Sequence, residues 1–115
     1  MSNKEYKGII VEESLEDSRI INDVELIKVE ITSEENPTER WHLYTVMVSK
    51  EEIEKLSKNI KQKWYMHFWK DRNVIAIFKD NIFEFNFDDK STWEPVVNYG
   101  LSLGIPKEQL DFPID

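Results

Sequence analysis

The sequence predicts an α+β domain. The expected core is a mainly antiparallel sheet of five to six strands in the order β-β-β-α-β-β-β-α, with two helices packed on one face. Three observations carry this expectation. Short segments rich in β-branched and aromatic residues recur between polar turns. Two stretches, beginning at Ser49 and Ser91, carry helix-start signals followed by apolar residues at helical spacing. Most connections are short enough for hairpins; the one holding the first helix is long enough to cross over, which permits one parallel pair. At 115 residues, a single domain over 1–115 is the natural unit.

The elements follow in order. Tyr6 to Glu12 reads as a first strand centred on Ile9, Ile10 and Val11. The polar stretch Glu13 to Asp23 is expected to be tethered by Leu15, Ile20 and Ile21. From Val24 to Thr32, Ile27, Val29 and Ile31 alternate with Lys28 and Glu30, the pattern of a half-buried strand. A proline-broken turn over Glu34 to Glu39 leads to a partner strand, Trp41 to Val48, and the two should form a hairpin. Ser49 and Glu52 fit a capping box, after which Ile53, Leu56 and Ile60 form an apolar stripe on a helix ending near Lys61.

Trp64 to Lys70, Val74 to Lys79 and Ile82 to Phe87 read as three consecutive strands. Asp71-Arg72-Asn73 and Asp80-Asn81 supply the turns, because Asp and Asn tolerate positive φ. Phe83, Phe85 and Phe87 share a face that must be covered. The second helix is the expected cover, with a capping box at Ser91 to Glu94, Pro95 in its first turn, and Val96, Val97, Leu101 and Leu103 for contact. Gly104 suits its C-terminal cap. Gly100 inside the helix costs about 1 kcal/mol relative to alanine, which a close approach of helix to sheet would explain. Pro106 to Leu110 reads as one more helical turn, and the tail should lie against the body through Phe112.

Composition removes several functions. Cysteine is absent, which excludes disulfides, thiolate catalysis and cysteine-ligated metals. The polar start at Met1 to Lys7 lacks a signal-peptide core, and runs such as Val74 to Phe78 are too short to span a bilayer. A cytoplasmic protein with no membrane partner is expected. The net charge of −8 argues against a general nucleic-acid binder. Lys55, Lys58, Lys61, Lys63 and Lys70 nonetheless form an acid-free stretch that could favour an anionic ligand. No Gly-x-Ser-x-Gly elbow, phosphate-binding glycine loop or calcium loop occurs, so no catalytic residue, metal ligand or cofactor is assigned.

The chemistry that remains gathers in Trp64-Tyr65-Met66-His67-Phe68-Trp69. Alternation puts Tyr65, His67 and Trp69 on one face. Turned outward, they make a shelf for a planar ligand around an acid–base group. Turned inward, they are cross-strand packing with a hydrogen-bonded imidazole, the commoner use of aromatics in sheets. His42 and Tyr44, two residues apart on the preceding strand, are expected to border that surface. If the two strands were neighbours, His42 and His67 could meet and, with a carboxylate such as Glu84, share a proton or bind a transition metal.

The motifs Trp64 to Trp69, Ser91-Thr92-Trp93-Glu94-Pro95 with Tyr99-Gly100, and Leu103-Gly104-Ile105-Pro106 through Gln109-Leu110-Asp111-Phe112 resemble a family of small uncharacterised bacterial and archaeal proteins. The resemblance covers mainly the C-terminal half. It implies a compact stand-alone protein and assigns no activity, cofactor or site residue. The functional expectation is a non-catalytic binding or interaction module using Tyr65, His67 and Trp69, bordered by His42 and Tyr44. The alternatives are a small enzyme with His67 or His42 as general base, and a binder of single-stranded nucleic acid or anions through residues 55–72. A homodimer through an exposed sheet edge or aromatic patch is the partner the sequence allows.

Overall fold

The computed structural model describes residues 4–114; the polar start at Met1 to Asn3 lies outside them. Six strands and two α-helices follow the expected order: β1 (Tyr6–Val11), β2 (Glu25–Ile31), β3 (His42–Val48), α1 (Lys50–Asn59), β4 (Met66–Lys70), β5 (Asn73–Phe78), β6 (Asn81–Asn86) and α2 (Glu94–Ser102). The strands form one sheet in the order β2-β3-β1-β4-β5-β6, and each pairing is antiparallel. Both β3 and β4 pair with β1, so α1 crosses between two co-directional strands separated by a third. The crossover therefore creates no parallel pair in the described sheet.

The helices lie on opposite faces, not on one. Ile53 and Leu56 of α1 pack with Tyr6, Ile10, Val46, Met66, Phe68, Ile75 and Ile77. Val96 of α2 packs on the other side with Trp69, Val74, Ala76, Phe78, Phe85 and Phe112. The cause is visible in β5. Val74-Ile75-Ala76-Ile77-Phe78 is apolar at both parities and buried throughout, so each face needs its own cover. Leu15 bridges to Ile60, and the Asn59 side chain bonds the backbone of Asp17 both ways, which fastens the β1–β2 connection to the end of α1.

Neither cover reaches β2. Every residue of that strand is exposed, so the expected half-buried strand is an uncovered edge. A bulge between Leu26 and Lys28 also displaces Ile27 from the face it was expected to share with Val29 and Ile31.

Local signals were realised unevenly. Ser49 and Glu52 form the reciprocal capping box. The second expected box does not form. Asp89 instead caps a 3-10 turn, Lys90–Trp93, through the Ser91 amide, and α2 starts one turn later with Pro95 in its first turn. Gly104, at φ +88°, ends α2 with the Ile105 amide on the Gly100 carbonyl and the Gly104 amide on that of Leu101. Gly100 makes room for Leu110 of the tail, not for the sheet: a Cβ there would lie 2.6 Å from Leu110 Cδ2.

Candidate functional site: a cleft beneath the C-terminal tail

After α2 the chain turns back across the sheet. Phe112 is fully buried and is the hub of this layer. Its ring makes edge contacts with Tyr65, His67, Phe85 and Trp93, at centroid distances of 5.6, 5.5, 5.1 and 5.3 Å. Tyr65 is fixed further by donating its hydroxyl to the Gln109 carbonyl. The tail thus covers most of the expected aromatic shelf and leaves Trp69 only 8% exposed.

What stays open is a cleft of about 320 Å³ between Pro113 and Ile114 of the tail and the uncovered half of the sheet. Ile9 and Val11 of β1 form one wall, Pro113 and Ile114 of the tail the other, and Tyr65, His67 and Trp69 line it from the sheet. Register explains the composition. Lys7 pairs with Trp69, so Lys7, Ile9 and Val11 share the face of His67 and Trp69. Beyond Val11 no helix of the described residues covers this face.

His67 is the one titratable imidazole here. Its Nε2 lies 2.8 Å from the Pro113 carbonyl oxygen, which can only accept, so Nε2 carries the proton. In the neutral ring Nδ1 is then a bare acceptor. No group of the described residues bonds Nδ1. Burial holds the pKa of His67 below its ordinary 6.5, against the opposing pull of the Pro113 carbonyl and the Asp111 charge. The cleft therefore presents an uncharged acceptor among apolar walls at neutral pH.

His42 and Tyr44 are not at this site. They lie on β3, separated from β4 by β1, and the pairing of Tyr44 with Ile10 places them on the α1 side. The two histidines do not meet, and Glu84 stands on β6 bonded to Asn73. His42 belongs instead to a network that the sequence reading missed. Glu13 accepts from the His42 amide at 2.9 Å and from Nδ1 at 2.7 Å, while Tyr44 donates to Glu12 at 2.6 Å. The hydrogen bond to Glu13 raises the His42 pKa. Partial burial pushes Glu13 up, but the bonds from His42 outweigh it and leave Glu13 below its usual value. Donor atoms of Glu12, Glu13 and His42 lie within 4.8 Å of one another, a set that could hold a divalent cation, although each residue is already engaged inside the network. Only the pairing of Val11 with Leu43 brings Glu12 and Glu13 to His42.

Three lysines of the acid-free stretch are also apart from the cleft. Lys55 and Lys58 ride on α1, and Lys70 alternates with Met66 and Phe68 onto the α1 side, where it pairs with Glu5 at 2.8 Å. No helix among the described residues is long and apolar enough to cross a membrane. Compared with known proteins, the chain matches no family model, no curated protein and no solved structure.

Proposed function

We propose that this chain is a non-catalytic binding module whose site is the cleft beneath the tail. Its ligand is small, uncharged and largely apolar, and donates one hydrogen bond to Nδ1 of His67. The observation that carries this reading is a neutral imidazole whose Nδ1 no described residue bonds, lining a cleft whose other walls are apolar, at a volume within the small-molecule range. A neutral acceptor in such walls selects a donor-bearing apolar group and disfavours an anion.

The rival readings have less behind them. A general base at His67 would need a positioned acid or nucleophile, and none of the described side chains bonds its Nδ1. At His42, Nδ1 is already taken by Glu13. A stacked nucleic-acid strand would need a run of cations along the rings; Lys7 shares their face, but Lys55, Lys58 and Lys70 belong to the opposite side of the sheet.

Indole and N-methylindole test the reading, because they share shape and differ in the donor. Titration followed by amide chemical shifts should place indole at Ile9, Val11, Trp69 and Ile114. Loss of one hydrogen bond, about 1 kcal/mol, should weaken N-methylindole roughly fivefold. Equal affinity of the two, or shifts clustered outside these residues, would refute the assigned ligand class.

A further inference from the structure

The two edges of the sheet are unequal. At β6, the backbone of Asn86 is occupied by side chains from the next segment: its amide donates to Thr92 Oγ1, and its carbonyl accepts from Trp93 Nε1. At β2 no comparable cap is present among the described residues. Leu26, Ile27, Val29 and Ile31 are 49, 53, 48 and 55% exposed, which makes half of the eight large apolar residues exposed in the described chain. A long edge carrying such a row is a template for another strand. The bulge that guards it falls at its beginning and leaves Lys28 to Ile31 regular.

The backbone direction is defined. The Thr32 amide bonds the Trp41 carbonyl at 3.0 Å, so Thr32 faces β3. By alternation Glu30 and Lys28 also face β3, and Val29 and Ile31 present their amides and carbonyls to the free edge. The side-chain order then selects the partner. When β2 is laid antiparallel against itself with Val29 on the axis, Lys28 faces Glu30 of the second copy, and Glu30 faces its Lys28. Ile31 then meets the displaced Ile27. Moving the axis to Lys28 opposes two lysines, and moving it to Glu30 opposes two glutamates, both unfavourable directly across a ladder. Within one chain Lys28 and Glu30 already touch at 3.2 Å, both more than half exposed, so that pair is available to be shared at little cost.

We infer that β2 pairs with β2 of a second copy, antiparallel about a two-fold axis at Val29, and joins two six-stranded sheets into one. The axis runs perpendicular to the sheet, so Val29 and Ile31 of both copies gather on the α1 side. The cleft lies across β1 and β4 and takes no part, so the inference goes beyond the proposed function and does not rest on it.

Light scattering and sedimentation equilibrium on the full chain at ~100 μM test it. Wild type should show twice the 13.8 kDa chain mass. Lys28→Glu and Glu30→Lys should each weaken the dimer by roughly tenfold or more, since each places two like-charge pairs across the axis. Mixing the two single variants should restore a heterodimer, because the edge of one then carries only acids at these two positions and the edge of the other only lysines. Each charge across the axis again meets its opposite. That rescue also shows that both variants fold. A monomeric wild type at this concentration, which would leave the edge to a strand of another protein, overturns the inference. So does a dimer indifferent to both substitutions, or a mixture that fails to associate.

Discussion

His42 and His67 differ in what faces each ring, and the difference has opposite signs in pH. Glu13 raises the His42 pKa above 6.5, so the stability from that contact is complete below 6.5 and is lost as the pH rises through the folded value. Glu13, held below its ordinary 4.5, contributes fully above 4.5 and loses its contribution as the pH falls through its own folded value. The pair is therefore strongest between 4.5 and 6.5. Burial lowers the His67 pKa, so stability is intact above 6.5 and is lost as the pH falls from there through the folded value. As these are the two histidines of the chain, an imidazole NMR titration separates them directly. His42 should titrate above 6.5 and His67 below it; the reverse order would remove the electrostatic basis of both sites.

Among the elements, the C-terminal tail does the most with the least regular structure. It supplies Phe112 to the core, one wall of the cleft and the carbonyl that orients His67. Replacing Phe112 with alanine should cost about 3–5 kcal/mol in denaturant unfolding, because it empties a site ringed by four aromatic groups. The same change should release His67 toward an ordinary pKa. A loss under about 1 kcal/mol in such a melt would mean that the tail is not packed as described. The tail was legible in part: Phe112 and Gly104 announced a docked end and a helix stop. That Pro113 and Ile114 would wall a cleft was not legible, since they carry no periodic signal and their partner, β1, is more than a hundred residues away in the chain.

At the scale of the molecule, alternation identified strands, turns and order, because it is a local property of the chain. It did not assign faces. The apolar run of β5 admits helices on either side, and the choice depends on which edge the crossover from β3 reaches. The face assignment decided the sites as well: Tyr65, His67 and Trp69 went to the α2 side, and His42 and Tyr44 to the α1 side. Two separate cores make a testable difference. Ile53→Val and Val96→Ala, in cores on opposite faces, should add to within about 0.5 kcal/mol when combined. A coupling of about 1 kcal/mol or more would put the helices in one core.

The most direct measurement is the nitrogen-15 shift of the His67 ring during titration with indole to ~5 mM. The Nδ1 resonance of His67 should move upfield as it accepts the indole N–H, with the nitrogens of His42 unmoved and N-methylindole without this effect. Movement at His42 alone, or a His67 ring indifferent to indole throughout, would contradict the cleft as the binding site.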